Sequence, residues 1–345
     1  MITTHMLVIP CGHPCARVPT QPLNGVILMA KKQKLTTSTG RPIQKKPLGK
    51  RIWNNRGFYL MFIPVLVYVL IVYYWPMLGI RYSFYDYTLK KIEFVGLKHF
   101  QKMFSEKEFW KAFTNTLVLS VTKLFITTAA SVIVSVFINE MANLFAKKVL
   151  QTVIYLPHFM SWTVTAAIFT LFLSTSSTGF VNETLKNWGW IKESIDFMHE
   201  TSLWRIVYYL VNIWKETGWG TVIFLATLAG INPELYEAAD IDGATRLQRI
   251  WYVTVPELAN TIIIVLILNL AKVLNLFESV FVMYNNRVFE VSDVISTYIY
   301  RKTFLTAIPN YGYTTAVGLF KSLVGCFLVI VCNWASKKVR GRGIL

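Results

Sequence analysis

The sequence carries little charge for its length. Of its 345 residues 15% are charged and 54% are hydrophobic, whereas a soluble chain usually carries about 25% charged residues. This leaves too little polar surface to coat a water-soluble protein of this size, and the apolar content excludes a disordered chain. The composition therefore indicates an integral membrane protein.

Cysteines and acidic residues are also scarce. Four cysteines, two of them (Cys326 and Cys332) inside an apolar run, exclude a scaffold built on disulfides. The 18 acidic residues are outnumbered by 35 basic ones, which gives a net charge of +17. Because the basic residues flank apolar runs and form no single patch, they are typical of the positive-inside rule and argue against a nucleic-acid partner.

Common catalytic and nucleotide-binding motifs are missing from the sequence. It contains no Gly-x-x-x-x-Gly-Lys-Ser/Thr phosphate loop, no His-Glu-x-x-His, no Gly-x-Ser-x-Gly and no paired Cys-x-x-Cys. We therefore expect neither an enzyme nor a metal site. His158 follows Pro157 inside an apolar run, and it is either a site residue or a structural histidine at a proline kink, of which we favour the second.

Six apolar runs are long enough to cross a bilayer, for which about 20 residues suffice. Spanning segments must be helical unless they close a barrel, and no alternating pattern of barrel strands occurs. We therefore predict an all-α polytopic bundle with six transmembrane helices, the fourth interrupted by Lys215 and Glu216. The predicted spans cover residues 58–80, 113–138, 148–173, 205–230, 259–284 and 313–335.

The two ends of the chain are basic. Residues 31–57 hold nine basic side chains and no acid, and residues 337–342 form a second basic cluster. An even number of spans puts both termini on one side, and the basic tails indicate that this side is the cytoplasm. We expect a multi-pass protein of the cell membrane.

These features divide the chain into three parts. We assign residues 1–57 to a cytoplasmic basic tail, residues 58–335 to the transmembrane domain and residues 336–345 to a second cytoplasmic tail. Residues 1–28 lack the apolar core of a secretory signal, and Met29 offers an alternative start. We expect residues 1–28 to be a mis-called extension.

The loop between the fourth and fifth predicted spans, residues 231–258, has signals for two short helices. Asn232 suits an N-cap and Gly243 a turn with positive φ. The second helix is expected over about 244–253, with Pro256 ending it. A helix-turn-helix with exposed ionic groups fits a groove on a soluble protein. The alternative is an amphipathic helix that rests on lipid headgroups.

This loop resembles the EAA motif of ABC-importer permeases. Glu237, Ala238 and Ala239 are followed by Gly243 four positions after the second alanine, and Pro256 closes the pattern. The extension over residues 240–244 resembles the carbohydrate-uptake branch, whose binding-protein-dependent inner-membrane components include the LplB-like oligosaccharide permeases. Further stretches that resemble this group are residues 155–162, 277–285, 293–301 and 316–322.

The resemblance implies the architecture of a type I ABC importer permease whose loop docks on an ATPase subunit. The resemblance implies that Glu237 makes an ionic contact with that subunit and that the small side chains of Ala238 and Ala239 let its backbone approach closely. It also implies that Asp242 and Gly243 form the turn. No cofactor is then expected in this chain, because ATP and magnesium bind to the partner ATPase.

The implied partners are a second permease, most simply in a heterodimer, a dimer of cytoplasmic ATP-binding subunits and an extracellular solute-binding lipoprotein. The lipid bilayer is the fourth partner. The long loops at residues 81–112, 174–204 and 285–312 are candidates for contact with the binding protein.

Polar residues recur at every third position of the fifth predicted span, namely Asn269, Lys272, Asn275 and Glu278. On one continuous helix they would form a broad polar face suited to a water-filled sugar pathway. The alternative is that they pair between helices as structural contacts. Other charges expected inside the membrane, where they face a cavity or each other, are Lys123, Lys215, Glu216 and Lys321.

We therefore predict one permease subunit, half of the translocation pathway, of an ATP-driven oligosaccharide importer. One alternative is an ABC permease for another solute, against which the carbohydrate-type extension counts. The other is an ion-coupled secondary transporter, which needs paired broken helices and coupling acids near the midplane. Only Glu216 and Glu278 could serve as such acids.

Overall fold

A computed structural model of the protein describes residues 48–88, 92–270 and 272–340, and most of these are helical. The predicted extension 1–28, the rest of the first basic tail up to residue 47, and residues 341–345 of the second tail lie outside the described residues. The predicted all-α class is confirmed. The sequence gave no signal for the one small antiparallel hairpin, in which Tyr85 lies opposite Phe94.

The chain divides into two compact units at the bond between Val69 and Leu70. In the first unit the described residues form helices α1 (Leu48–Asn54) and α2 (Arg56–Val69). The elements of the second unit are α3 (Trp75–Met77), β1 (Tyr85–Tyr87), β2 (Ile92–Phe94), α4 (Lys98–Ser105), α5 (Lys107–Asn139), α6 (Leu144–Tyr155), α7 (Trp162–Phe172), α8 (Phe180–Asn187), α9 (Thr201–Leu228), α10 (Pro233–Ile241), α11 (Arg246–Arg249), α12 (Val255–Leu270), α13 (Glu278–Phe281), α14 (Phe289–Ser292), α15 (Ile295–Phe304) and α16 (Tyr311–Arg340). Segments of 3-10 or π geometry cover Leu70–Tyr74, Leu78–Phe84, Leu156–Phe159 and Ile250–Thr254.

Helices occupy all six predicted spans, but two of the spans are interrupted. By length and composition alone, four described stretches could cross a membrane: Arg56–Phe84, Lys107–Asn139, Arg246–Leu270 and Tyr311–Lys338. The third predicted span makes a fifth if its two bent halves count as one. Helix α9, at the fourth predicted span, is a continuous helix of 28 residues that carries Lys215 and Glu216. It is not among the stretches that qualify.

The third predicted span contains a sharp break where a kink was predicted. Its first half ends in the 3-10 turn Leu156–Phe159, which contains Pro157, and its second half, α7, begins at Trp162 at an angle of 102°. The side chain of Ser161 caps α7 by accepting a hydrogen bond from the Val164 N–H at 3.2 Å. Proline and a strong N-cap together explain why one apolar run folds as two helices.

The fifth predicted span is not one continuous helix, so the prediction of a single polar helical face over residues 259–284 is wrong. Helix α12 ends at Leu270, and tight turns follow in which Lys272 N–H donates to Asn269 O and Asn275 N–H to Lys272 O. Turns with three residues per repeat also bring every third side chain to one side. The period of three therefore fits these tight turns, from Asn269 to Asn275, and not the α-helix to which we assigned it.

Pro256 does not end the second helix of the 231–258 loop, contrary to prediction. From Arg246 the chain stays helical to Leu270, with a π segment at Ile250–Thr254. In that segment the Val255 N–H donates to the carbonyl of Ile250, five residues earlier. The wider turn fits Pro256, which has no N–H and would clash with the preceding carbonyl in a regular α-helix.

Helices α5 and α9 form the central pair of the second unit. They approach closely because small polar residues face each other, as in the hydrogen bond from Ser131 Oγ to Thr217 O at 3.2 Å. A Cβ atom on Gly220 would lie 2.2 Å from Ser131 Oγ, so only glycine fits there. Apolar clusters lie at both ends of α5: Phe109 packs with Tyr298 near its start, and Val136 near its end belongs to a cluster with Phe224 of α9 and Leu258 of α12.

A network around Glu106 holds the start of α5 to α15 and α16. Its carboxylate accepts hydrogen bonds from the hydroxyls of Tyr298 and of Tyr313, the latter at 3.0 Å, and lies 3.6 Å from Lys302 and 3.8 Å from Lys102. Burial alone would raise the pKa of Glu106, but the two tyrosine hydrogen bonds and the two lysines outweigh it and lower that pKa.

Replacing Glu106 by Gln should lower the free energy of unfolding at pH 7 by about 1–2 kcal/mol, since hydrogen bonds to a charged group are lost. The folded pKa lies below the ordinary value of 4.5, so the carboxylate stabilises the fold above that pH. This contribution disappears as the pH falls through the folded pKa.

Thermal unfolding of the detergent-purified protein between pH 7 and pH 3 measures this effect. The Glu106→Gln variant should lose less stability on acidification than the wild type, whereas Glu193→Gln, at an exposed residue, should behave like the wild type. If acidification lowers the thermal stability of Glu106→Gln as much as that of the wild type, the network does not stabilise the folded chain.

Candidate docking loop and polar cavity

Helix α10, the first helix of the 231–258 loop, begins as predicted. The side chain of Asn232 accepts a hydrogen bond from the Glu234 N–H at 3.2 Å, and Pro233 occupies the first turn. None of the residues of α10 is buried. The helix is therefore fixed at its start by local hydrogen bonds and not by burial in a core.

The end of α10 is a glycine-dependent helix stop. Gly243 has φ +74° and donates its N–H to Asp240 O at 3.1 Å, while the Ala244 N–H donates to Ala239 O at 2.9 Å. These two bonds define a Schellman motif, in which the residue after the cap takes a left-handed conformation. The predicted turn at Asp242 and Gly243 is thus present.

The two arms of the loop are tied together. Arg249 donates to both carboxylate oxygens of Asp240, at 2.7 and 2.9 Å, and the hydroxyl of Tyr236 lies 3.1 Å from Thr254 Oγ1. Thr245 and Gln248 form a capping box that starts α11. This ion pair, in which one guanidinium nitrogen reaches both carboxylate oxygens, and two caps give the loop one defined shape before any partner binds.

Side chains that could contact a partner lie on the outside of the loop. Glu237, Ala238 and Asp242 are exposed and Ala239 is half-buried. In the part of the chain that the structure describes, the Glu237 carboxylate forms no ion pair or hydrogen bond. Most of the predicted EAA residues are therefore accessible to a partner, whereas Ala239 is partly covered and Pro256 lies in the first turn of α12.

Apolar side chains on the same loop were missed by the sequence reasoning. Ile241 is 86% exposed, Tyr252 80% and Leu247 69%. Their exposure could have been predicted, because they lie near charged residues in a segment whose apolar residues do not recur with the period of a buried helix face. Exposed apolar groups beside an unpaired carboxylate are typical of a surface that another protein covers.

A polar cavity of about 300 Å³ lies between α5, α9 and the end of α12. It brings together three of the four predicted pathway residues, Asn269, Lys272 and Asn275. The fourth, Glu278, lines a neighbouring cavity of about 480 Å³. Glu216 lines both cavities and is the residue that they share.

Helix α5 supplies cavity residues that the sequence reasoning also missed. Ser120, Thr127, Thr128 and Ser131 recur after seven, eight and eleven positions, which places them on one face of a helix. This spacing could have identified the face. Trp219 and Phe224 from α9 add aromatic surface to the same cavity.

Lys215 lies at the break in the third predicted span. Its side chain is almost fully buried, at 3% exposure, and its ammonium group donates to the backbone carbonyls of Pro157 at 3.3 Å, His158 at 3.1 Å and Met160. The ring of Trp162 lies 5.3 Å away. Lys215, the charge within the fourth predicted span, thus donates to the carbonyls of His158 and Met160 at the break in the third span, and adds a second donor to the carbonyl of Pro157.

His158 lies next to this break and contacts α9. Its Nδ1 is 3.2 Å from the Glu216 carboxylate, and its ring stacks on Trp219 with centroids 4.9 Å apart and an interplanar angle of 8°. The interpretation of His158 as a structural residue at a proline break agrees with these contacts. His158 and Glu216 also line the neighbouring cavity of about 480 Å³.

The other two lysines predicted inside the membrane lie in different surroundings. Lys123 lines the 300 Å³ cavity, with its ammonium group 5.8 Å from the ring of Trp162. Lys321 donates to Ser296 Oγ at 2.9 Å and lines a third cavity, of about 440 Å³, together with Asn275. All of the charges predicted inside the membrane therefore face a cavity or a polar partner.

Residues 129–341 match the family model described as "Binding-protein-dependent transport system inner membrane component". Protein LplB of Bacillus subtilis (strain 168) is 39% identical over 84% of this chain and 92% of its own length. From the same organism, the polygalacturonan/rhamnogalacturonan transport system permease protein YteP is 37% identical over 87% of this chain and 94% of its own length.

Two solved structures are similar over nearly the whole chain. A bacterial ABC transporter involved in the import of the acidic polysaccharide alginate is 35% identical, with a TM-score of 0.79, over 86% of this chain and 100% of that chain. The alginate transporter in complex with an alginate pentasaccharide-bound periplasmic protein gives the same TM-score and identity over 87% of this chain. The predicted type I importer permease architecture is confirmed.

Replacing Lys215 by Met should destabilise the second unit by about 2–4 kcal/mol, because buried carbonyls lose their donor. Amide hydrogen exchange should increase in residues 157–165, around the break. Thermal unfolding and hydrogen exchange on detergent-purified protein measure the two effects. Lys192→Met, at an exposed loop residue, is the matched control. Unchanged exchange around the break would contradict the role given to Lys215.

Proposed function

The chain belongs to the family of binding-protein-dependent transport system inner membrane components, and we propose that it is the permease subunit of an ATP-driven oligosaccharide importer. The observation that carries this function is the 37% identity, over 87% of the chain, to a permease named for polygalacturonan and rhamnogalacturonan transport. A permease of this family is a transport protein and not an enzyme. ATP hydrolysis is assigned to a partner subunit, which binds ATP and magnesium.

The 231–258 loop is the proposed docking site for that ATPase subunit. Its rigid turn presents the unpaired carboxylate of Glu237 beside the small side chains of Ala238 and Ala239, which allow close approach of a partner's backbone. Ile241 and Leu247 add exposed apolar surface that the partner can cover. This combination fits a helix that enters a groove on a soluble protein.

One uninterrupted helical stretch connects the docking loop with the polar cavity. It runs from Arg246 through the π segment Ile250–Thr254 and ends at Leu270, next to the cavity residues Asn269 and Lys272. A movement of the loop would therefore reach the cavity through a stiff element. We assign the coupling of ATP hydrolysis to substrate movement to this stretch.

We also propose three kinds of partner subunit for this chain. The cavity residues Asn269, Lys272 and Asn275 are exposed on this chain, which supports a pathway completed by a second permease in a heterodimer. A solute-binding lipoprotein is the proposed donor of substrate, supported by the alginate transporter solved with its periplasmic binding protein. The ATP-binding subunits form a dimer below the two permeases.

The protein is a multi-pass membrane component, and we assign both termini to the cytoplasm. This orientation puts the 231–258 loop on the side of the ATPase. Loops 174–204 and 285–312 then lie outside, where the binding protein docks. The excess of basic residues in both tails supports this assignment.

Replacing Glu237 by Lys, or Gly243 by Asp, should uncouple ATP hydrolysis from transport without unfolding the chain. The first substitution reverses the docking charge, and the second places a side chain at φ +74° and distorts the turn. Uptake by reconstituted transporter should fall about tenfold or more, while thermal stability changes little. Glu140→Lys makes the same charge change at the end of α5, outside the docking loop, and should retain uptake. Normal uptake by the Glu237 and Gly243 variants would contradict the docking role.

Gentle solubilisation of native membranes, followed by affinity purification and mass spectrometry, tests the assembly. We expect stoichiometric recovery of one ATP-binding subunit and a second, related permease. Recovery of this chain alone, with uptake that follows a proton or sodium gradient, would contradict the proposed function. In that case Glu216 and Glu278 would be the first candidates for ion-coupling residues.

A further inference from the structure

The 300 Å³ cavity carries an excess of positive charge. Its charged lining residues are Lys123, Lys272 and a single acid, Glu216. That carboxylate can offset only one of the two lysine charges, and it acts electrostatically on Lys123. One lysine charge in the cavity is left without a counter-charge.

Lys272 is the residue that carries this surplus charge. In the described part of the chain its ammonium group has no acidic partner within 4.0 Å and no hydrogen-bond acceptor. The other lysines nearby differ, since Lys215 donates to three carbonyls and Lys321 to Ser296 Oγ. A cation at membrane depth is costly unless water or an anion faces it, which makes an unpartnered one a candidate binding group.

The rest of the lining suits a sugar. Asn269 and Asn275 each offer amide donors and an acceptor, and Ser and Thr hydroxyls of α5 lie across the cavity. Trp219, half of whose surface is exposed, adds an aromatic face. The volume lies at the lower end of small-molecule sites, about 300–1,000 Å³, so the cavity holds part of an oligosaccharide at a time.

We infer that this cavity binds the carboxylate of an acidic sugar, with Lys272 and Lys123 as the carboxylate-binding residues. The inference rests on the proposed function as an oligosaccharide permease and names the substrate class as uronate-containing oligosaccharides. The Lys272 ammonium group provides the ionic contact, Lys123 adds to the positive potential, and Asn269 and Asn275 bind neighbouring hydroxyls. Entry of one carboxylate leaves the cavity with balanced charge.

The test compares two matched probes on the purified transporter, with all co-purifying subunits and without the binding protein. The probes are trigalacturonate and the same trisaccharide with its carboxyls reduced to alcohols. Isothermal titration calorimetry at low salt should show about tenfold tighter binding of the acidic probe, equivalent to one ionic contact. The preference should shrink at high salt, because screening weakens the contact.

Substitutions locate the preference in the cavity. Lys272→Gln and Lys123→Gln should each weaken binding of the acidic probe about tenfold and change binding of the neutral probe less than about twofold. Lys272→Arg should retain the preference, and Lys192→Gln, in an exposed loop, should not alter it. Asn275→Asp offers an independent variant, because it supplies the missing counter-charge and should abolish the preference with both lysines in place.

Equal binding of the two probes by the wild type overturns the inference, as does a preference that survives in both glutamine variants and in Asn275→Asp. ATP-dependent uptake of neutral oligosaccharides by the same preparation would then leave the proposed function standing. Absence of uptake of every oligosaccharide tested, acidic or neutral, would overturn the proposed function as well. The two failures are therefore distinguishable.

Discussion

The rest of the structure around α9 depends on the contact between the Lys215 ammonium group and the carbonyls of Pro157, His158 and Met160. This contact joins α9 to the break in the third predicted span. Lipid offers no hydrogen-bond donors to the carbonyls at a broken helix, so the buried ammonium group from α9 provides these donors. The 102° break is thereby stable, and it turns Trp162 and its neighbours toward α9. Glu216, the next residue along the chain, is brought between the two cavities by the same arrangement.

The second organising feature is the helical stretch from Arg246 to Leu270. Its π segment lets Pro256 lie inside a helix that would otherwise stop there. An exposed, hydrogen-bonded docking loop and a polar cavity therefore lie at the two ends of one stiff element. This geometry supports the proposed coupling, because a movement of the loop would reach the cavity through one helical element.

Local signals in the sequence predicted local structure well. Asn232 caps the start of α10 with its side chain and Gly243 ends it with a positive φ, and helices occur in all six apolar runs, although the third and the fifth are interrupted. Features that depend on distant residues could not be predicted. The partner of Lys215 is backbone some 55 residues away, and no pattern within α9 reveals it. The period of three from Asn269 fits both an α-helix and successive tight turns. It therefore indicates that these side chains lie on the same side of the chain, but not which secondary structure holds them there.

Transport driven by ATP on a separate subunit is tested most directly in proteoliposomes that contain this chain, the second permease, the ATPase and the binding protein. Accumulation of labelled oligosaccharide should require ATP on the ATPase side and should stop when the ATPase is omitted. It should persist when ionophores collapse the proton and sodium gradients. Uptake that needs no ATP and disappears with the ionophores would contradict the assignment of this chain as an importer permease.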